Sequence, residues 1–364
     1  MYFRSFRRIE KKMIIFAFMK RILPILLVLI AACSRPETTL FVGTYSDGFY
    51  ALDFASGEVI TKAPMPNPSF LALRDNKVYA VSEMPDVSAS VWAWRYGGNG
   101  FEFLGSQPTG LPEQGEDPCY VATNGHLLAV ANYSGGTLAL YNLKGDGSIG
   151  PLDSLVVSGI GGPDLSRQET PHVHCATFTP DGKHLFFSEF SADAIGSLDI
   201  AGRISNYRIA ATLPADFGPR HLLFDASGKH FYVIGELSGD IAVFDYDSGR
   251  LSLKQVIKAD KVDARGAADI HLSPDGKFLY ASLRLQNDGI AIFSVAQNGT
   301  LAEVGYQHTG PHPRNFAITK DLAIVACRDS DEIEIYHRDA ATGLLKDSGR
   351  RIRLPKPVFV SLQQ

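Results

Sequence analysis

The sequence predicts an all-β protein, a seven-bladed β-propeller with four antiparallel strands in each blade. Three observations support this prediction. A pattern of short apolar segments and turns recurs along the chain. No segment shows a sustained 3.6-residue period with helix caps, so helices should be few. The two ends of the chain complement each other, because the first unit lacks one strand that the last segment supplies.

Each repeat unit has the same internal order. A short apolar segment is followed by a turn such as PDGK or ASGK, and then by a segment rich in Phe, Tyr and Val. A third segment alternates, as in IAVFDY, and a fourth is weaker. Asp-Gly and Ser-Gly between apolar segments indicate hairpins, and four strands in roughly 45–50 residues are typical of a propeller blade. The six complete units begin at Pro68, Pro118, Val173, Pro219, Ala267 and Pro313.

A seventh blade is predicted from both termini. The segment LFVGTYSDGFYALDF supplies its strands two to four, and PVFVSL, Pro357 to Leu362, supplies the missing first strand. Pairing of these segments would close the ring and leave no exposed sheet edge. Six blades plus an extension is the alternative. We assign residues 39–364 to one propeller domain.

The N-terminal segment has the layout of an export signal. In MKRILPILLVLIAAC, basic residues precede an apolar run from Ile22 to Ala32, which is too short to span a bilayer. IAAC resembles a bacterial lipobox, and this implies a lipid on Cys33. We therefore expect a leader and signal peptide at 1–32, a tether at 33–38, and an exported, membrane-anchored bacterial lipoprotein on the periplasmic or cell-surface side. An uncleaved signal anchor is the alternative.

Charge and cysteine usage exclude several classes of function. The net charge is −4, and residues 1–32 carry +6, which leaves −10 on the rest of the chain. Such an acidic body argues against nucleic acid as a partner, because binding phosphates needs Lys and Arg. Cys119, Cys175 and Cys327 are scattered without CxxC spacing, which is neither a disulfide framework nor a zinc motif. We expect a monomer that contacts the membrane only through the lipid.

The repeat brings distant polar residues to one end of the propeller channel. In a propeller, the first strand of each blade lines the channel, and its start lies at the same rim as the end of the second strand. Alignment of the units places His174, Arg220, Ala268 and Arg314 at one position, and Cys175, His221, Asp269 and Asn315 at the next. The second strands end at Glu189, Glu236, Arg284 and Arg328. His172 and His271 lie two residues from His174 and Asp269, on the same strand side.

This grouping predicts a basic funnel in an acidic protein, which suits an anionic ligand. The alternative is a polar channel that only holds ordered water. His172 and His174 could reach one metal ion, but catalytic zinc usually has three protein ligands, and the arginines would oppose a cation. We therefore predict neither a metal nor another cofactor.

Several segments together resemble the propeller-type 6-phosphogluconolactonase family, also called the lactonase family. They are RQETPHVHCATFTPDGK, GPRHLLFDASGKHFYVIGEL, ADIHLSPDGKFLYASLR, HPRNFAI and ANYSGGTLALYNL. The resemblance runs from about Leu40 to Leu362. It implies a seven-bladed propeller that hydrolyses a sugar lactone and is similar in fold to a fungal muconate lactonising enzyme. Tyr120 departs from the pattern, since relatives often have histidine there.

The resemblance also implies the site residues. His174, Glu236, Arg220 and Arg284 would be catalytic. His174 would be the base, Glu236 would orient or balance it, and the two arginines would hold the oxyanion or the substrate's anionic group. The resemblance also points to His172, His221 and Arg314 as substrate contacts, and the grouping of residues at the channel mouth adds His271, Glu189 and Arg328. Relatives often have Asp in place of Glu189 and a smaller polar residue in place of Arg328.

The predicted location conflicts with the substrate that the family name suggests, because 6-phosphogluconolactone is made inside the cell. We therefore expect either a related aldonolactone as substrate or a reused propeller. The rival hypotheses are a non-catalytic tethered binder of an anionic sugar or protein, and a lactone-forming or isomerising enzyme. The sequence offers no separate feature for the last of these.

Overall fold

The computed structural model describes residues 38–201 and 204–363. Within these residues, seven four-stranded antiparallel sheets form seven blades, which confirms the predicted fold class. The predicted signal peptide and the predicted lipid site at Cys33 lie outside the described residues. No helix in the described part of the chain is both long and apolar enough to cross a bilayer.

The first three blades contain the first eleven strands. Blade 1 holds β1 (Thr39–Thr44), β2 (Gly48–Asp53) and β3 (Val59–Pro64). Blade 2 holds β4 (Pro68–Arg74), β5 (Lys77–Ser82), β6 (Ser90–Tyr96) and β7 (Phe101–Pro108). Blade 3 holds β8 (Pro118–Thr123), β9 (Leu127–Asn132), β10 (Thr137–Leu143) and β11 (Ile149–Val157).

The next two blades follow a longer connection. Blade 4 holds β12 (Val173–Phe178), β13 (His184–Glu189), β14 (Ala194–Asp199) and β15 (Ser205–Thr212). Blade 5 holds β16 (Pro219–Phe224), β17 (His230–Gly235), β18 (Asp240–Asp247) and β19 (Arg250–Lys258). The connection before blade 4 contains the short helix α1 (Leu165–Gln168), and a 3₁₀ turn (Phe190–Ala192) follows β13.

The last two blades complete the ring. Blade 6 holds β20 (Ala267–Leu272), β21 (Phe278–Leu283), β22 (Gly289–Val295) and β23 (Leu301–His308). Blade 7 holds β24 (Pro313–Ile318), β25 (Leu322–Cys327), β26 (Glu332–Arg338) and β27 (Leu345–Arg353), with a 3₁₀ turn (Arg328–Ser330) after β25. The last strand, β28 (Pro357–Gln363), returns to blade 1.

Strand β28 pairs antiparallel with β1, from Thr39 opposite Gln363 to Thr44 opposite Pro357. It is therefore the first strand of blade 1, in the order β28-β1-β2-β3. This confirms the prediction that the two termini share one blade. Pairing with β28 covers the edge of β1 that would otherwise be left unpaired where the two ends of the propeller meet.

The hydrophobic core lies between the blades. Seven clusters of buried side chains are present, and each joins two adjacent blades, including blades 7 and 1. In the second strands, continuous apolar runs such as Leu185–Phe187 are buried on both faces, because each face packs against a neighbouring blade. In fourth strands such as β15 and β19, exposed and half-buried residues alternate irregularly, because these strands form the outer surface.

Candidate active site

The inner strands (β28, β4, β8, β12, β16, β20 and β24) begin at one end of the channel, which we call the mouth. Strand pairing places Val173 opposite Glu189 and Pro219 opposite Gly235. It likewise places Ala267 opposite Leu283. The residue after each of these starts is therefore equivalent from blade to blade, and His174, Arg220 and Arg314 share this position as expected.

Glu236 is the centre of an ion-pair cluster at the mouth. It follows β17, and its Oε2 lies 2.9 Å from Nε of Arg220 and 3.2 Å from Nη2 of Arg284. Its Oε1 accepts a 2.8 Å hydrogen bond from Nη2 of Arg167. Burial alone would raise the pKa of Glu236, but the three guanidinium groups outweigh it and lower the pKa to about 2. The carboxylate is thus ionised at neutral pH.

Two of these arginines are fixed by backbone carbonyls. Arg220 Nη1 donates to the carbonyl of Ala268 at 2.6 Å. Arg284 Nε donates to the carbonyl of Gly266 at 2.8 Å, and its Nη2 donates to Ala267 at 3.2 Å. Both guanidinium groups are almost fully buried. Because they are already held in place, little reorganisation is needed when charge develops beside them.

Arg167 reaches the cluster from outside the repeat. It belongs to α1, in the long connection between blades 3 and 4. The neighbouring Gln168 anchors this helix, since its Nε2 donates to Asp193 at 2.8 Å and to the carbonyl of Phe190 at 3.1 Å. Arg167 also donates to the Tyr133 hydroxyl at 3.2 Å. The alignment of blades missed Arg167, because no other blade has an equivalent residue.

His174 is buried beside the cluster, with 5% of its surface exposed. Its Nδ1 has no hydrogen-bond partner among the described residues. The rings of His221 and Tyr133 lie 5.4 and 5.6 Å away, between centroids. Burial, and then the charge of Arg220, hold the pKa of His174 well below its usual 6.5. A neutral imidazole with a free nitrogen at neutral pH is suited to accept a proton.

Arg314 is the fourth cation of the mouth. It lies over the Tyr45 ring, 5.2 Å from the centroid, and its Nη2 is 3.8 Å from Oε1 of Glu83. The Tyr45 hydroxyl donates to the same Oε1 at 2.8 Å. Tyr45 and Glu83 follow second strands, as Glu236 does, so a seven-blade alignment could have identified them. Four guanidinium groups, including Arg167, then face only two carboxylates, which leaves the mouth positive.

The structure does not bring Glu189 into this cluster, so its alignment with Glu236 was wrong by one residue. Glu189 pairs directly with Val173, whereas Glu236 lies one residue beyond the partner of Pro219. Successive side chains of a strand point to opposite faces, so Glu189 points away from the mouth. Its Oε2 accepts from Gly159 N at 2.9 Å, and its Oε1 accepts from the Tyr207 hydroxyl at 3.0 Å.

The third residues of the inner strands form one layer across the channel, which we call the septum. Its members are Phe70, Tyr120, Cys175, His221, Asp269, Asn315 and Phe359. Phe70 in blade 2 contacts His221 in blade 5, three blades away, with ring centroids 5.9 Å apart. Phe70 also stacks on Tyr120 at 4.1 Å. These contacts across the ring show that the septum fills the channel.

His271 lies beyond the septum rather than at the mouth. It is the fifth residue of its inner strand, and its Nε2 donates to Asp269 at 2.8 Å. It lines a cavity of about 310 Å³ on the far side, with Leu223, Ala317 and Ser361 among its neighbours. The structure therefore separates His271 from the predicted substrate contacts at the mouth, although His221 in the septum borders the same cavity.

The two remaining predicted residues lie on the rim. His172 donates its Nδ1–H to the Tyr133 carbonyl at 2.7 Å, and its ring stacks on Tyr133 at 4.1 Å. Arg328 donates to both oxygens of Asp329, at 2.6 and 3.1 Å. Arg328 and Tyr45 border a cleft of about 530 Å³. His172 supports the wall beside His174, and the charge of Arg328 is balanced locally.

The chain is similar to several known proteins. A family model described as "Lactonase, 7-bladed beta-propeller" matches residues 39–362. A 6-phosphogluconolactonase from Formosa agariphila is 32% identical over 351 residues, which cover 88% of this chain and 97% of the relative. A solved Bacteroides uniformis protein is 45% identical with a TM-score of 0.85, over 90% of this chain and 100% of the other. The structure of a Pseudomonas aeruginosa periplasmic gluconolactonase is 26% identical with a TM-score of 0.81, over 90% and 99%.

Proposed function

The chain belongs to the lactonase family of seven-bladed β-propellers, and on this premise we propose that it hydrolyses a sugar lactone at the mouth of its channel. The substrate is 6-phosphogluconolactone or a related aldonolactone, and the product is the free acid. The observation that supports this most directly is His174, a buried imidazole with an unpartnered Nδ1 beside a fixed group of guanidinium ions.

The arrangement can supply both needs of ester hydrolysis. His174 takes a proton from water as the water oxygen bonds to the lactone carbonyl carbon. Arg220 and Arg284 stabilise the negative charge that develops on the carbonyl oxygen. The ring C–O bond then breaks, and the ring oxygen takes the proton from the His174 imidazolium, which gives the hydroxy acid and restores the neutral base. Lactones already hydrolyse unaided, so a general base worth roughly 10²–10⁴-fold is sufficient.

The charge of the mouth favours an anionic or strongly polar substrate. Arg220 and Arg284 already form ion pairs with Glu236 and donate hydrogen bonds to backbone carbonyls. Arg314 has an ion pair at 3.8 Å and a ring contact, and no hydrogen bond from its guanidinium group to another described residue is found. Arg314 is therefore the cation with the most donors available for a substrate phosphate or carboxylate. Its planar guanidinium group can donate two parallel hydrogen bonds to such an anion.

A panel of lactones tests this proposal. The chain from Ser34 onward would be purified without metal, and acid release would be followed from 6-phosphogluconolactone and from unphosphorylated aldonolactones. Turnover above the enzyme-free blank is expected on at least one of them, and the preferred member shows whether phosphate matters. Saturable binding without turnover on any lactone would instead support a non-catalytic binder.

The pH dependence of kcat/KM should reflect the low pKa of His174. Because the neutral imidazole is the active form and its pKa is lowered, the free enzyme keeps its base at pH values below 6.5. We expect kcat/KM to stay level as the pH falls through 6.5 and to decline only in more acidic solution. Initial rates corrected for spontaneous hydrolysis would show this. An acid limb centred at 6.5 or above would contradict the assignment of His174.

We also propose that the protein acts outside the cytoplasm, held by a lipid on Cys33. The signal-like segment supports this, as does the description of the Pseudomonas aeruginosa relative as periplasmic. An extracytoplasmic location favours an unphosphorylated aldonolactone. Labelling with a radioactive fatty acid should mark the wild-type protein and not Cys33→Ser, and an unlabelled wild type would refute the anchor.

A further inference from the structure

A continuous line of side-chain contacts joins the septum to the catalytic arginine. Asp269 Oδ1 lies 2.7 Å from His221 Nδ1. The other ring nitrogen, Nε2, lies 3.1 Å from Nη1 of Arg220. Arg220 in turn binds Glu236 through Nε. The line therefore runs from a carboxylate in the septum, through an imidazole and a guanidinium group, to the carboxylate at the centre of the site.

The chemistry of the side chains determines which atom donates in each hydrogen bond of this line. Arginine can only donate, so Nε2 of His221 accepts from Arg220. Nδ1 of a neutral His221 therefore carries the proton and donates it to Asp269. Burial, and then the charge of Arg220, lower the pKa of His221 to about 4, so the imidazole is neutral at working pH. Only one of the two neutral tautomers satisfies both neighbours, and Asp269 accepts the hydrogen bond from the nitrogen that carries its proton.

Asp269 is held in place from several directions. It is 3% exposed, and its oxygens also accept from His271 Nε2 at 2.8 Å and from Asn315 Nδ2 at 2.5 Å. The backbone N–H of Ile270 donates to Oδ1 at 2.9 Å. The carboxylate is thus fully used within the septum and is turned away from the mouth. Among the described residues, its hydrogen-bonded link to Arg220 runs through His221.

We propose that Asp269 is a positioning residue for the lactonase reaction, which fixes the tautomer of His221 and through it the orientation of the Arg220 guanidinium group. The inference rests on the proposed function and gives His221 a role other than substrate contact. An orienting partner of this kind matters because displacement of a catalytic group by about 1 Å can cost roughly 10²-fold in rate.

The substitution Asp269→Asn tests the proposal by kinetics. The asparagine amide has one acceptor oxygen in place of two, so it cannot accept from His221, His271 and Asn315 together. The hydrogen bonds that orient His221, and through it Arg220, are therefore disturbed. We expect kcat/KM to fall roughly 10- to 100-fold. Combined with Arg220→Lys, the second substitution should add little, because both act on the same group. Fully multiplicative losses would overturn the proposal.

A matched control comes from the opposite end of blade 5. Asp225 accepts a 2.9 Å hydrogen bond from Nδ1 of His230 at the turn between β16 and β17. Asp225→Asn therefore removes a similar Asp–His pair without contact to Arg220, and it should keep wild-type kcat/KM. If Asp269→Asn does not fold, His221→Phe keeps the ring contacts with Phe70 and Tyr120 while removing both nitrogens. Wild-type kinetics in His221→Phe would also overturn the proposal.

A second measurement does not depend on turnover. In ¹⁵N NMR spectra, the Nε–H signal of the buried Arg220 should shift or broaden in Asp269→Asn and stay unchanged in Asp225→Asn. An unchanged Arg220 signal in Asp269→Asn would refute the positioning role even if the wild type hydrolysed no lactone. Absent turnover with a shifted signal would instead reject the proposed function and retain the structural link.

Discussion

Replacing His174 with alanine is expected to lower kcat for lactone hydrolysis by roughly 10²–10⁴-fold while the propeller stays folded. The loss should fall on kcat more than on KM, because the arginines that bind the substrate remain in place. The fold should persist because the imidazole makes no hydrogen bond within the described part of the chain. Initial rates and thermal unfolding of the same preparations would be compared.

Two further variants separate loss of the base from loss of volume. His174→Gln is similar in size to histidine but is not a base at neutral pH, so its kcat should be as low as that of the alanine variant. His126→Ala makes the same alanine change at an exposed turn and should keep wild-type rates. Near-normal turnover in His174→Gln would mean that His174 is not the base.

Glu236→Ala should cause the largest loss of stability among the site variants. Removing this carboxylate leaves Arg167, Arg220 and Arg284 close together without their shared counter-charge. Breaking a buried ion pair by removing one partner typically costs about 3–5 kcal/mol, so we expect a fall of that order in the free energy of unfolding. Activity should fall with it, because the guanidinium groups would move apart. Denaturant unfolding at pH 7 measures the first effect.

Glu189→Gln is a suitable control for this experiment, since Glu189 is also buried but bonds to no cation among the described residues. It should cost less stability and leave kcat almost unchanged. The pH dependence of the free energy of unfolding gives a second check on the contribution of Glu236. The folded pKa of Glu236 is about 2 against an ordinary 4.5, so its stabilising contribution is present above 4.5 and is lost as the pH falls from there towards 2. An equal loss of stability in both variants would contradict the role of the arginines.

The fold was predictable because the same order of apolar strands and turns recurs in each blade. Six strand starts, from Pro68 to Pro313, are read correctly from the sequence, since the turns between first and second strands recur in recognisable form. The closing strand at Pro357 follows from the same comparison. Repetition lets a weak signal in one blade be checked against the others.

The site was predictable only where it follows the repeat. His174, Arg220, Glu236 and Arg284 lie together because they occupy equivalent positions. Glu189 was misplaced because the strands leave a one-residue ambiguity at their ends, and one residue reverses the side-chain direction. The depth of His271 was missed for a related reason, since spacing along a strand does not show which layer fills the channel.

Arg167 shows a different limit. The step from Pro118 to Val173 is the longest in the repeat, and the additional residues carry α1. The sequence shows that this connection is longer than the others, but it does not show that the added residues fold over the mouth. Only contacts such as that of Gln168 with Asp193 bring the helix over the mouth.

The septum makes the reaction chamber a cup with a single opening. The hydroxy acid formed from a lactone must therefore leave by the route through which the next lactone enters. Hydrolysis turns a neutral ester group into a carboxylate, so the departing molecule is one unit more negative than the arriving one. A positively charged entrance attracts it more strongly. We therefore expect the acid to inhibit competitively, so that turnover slows as the acid accumulates even while lactone remains.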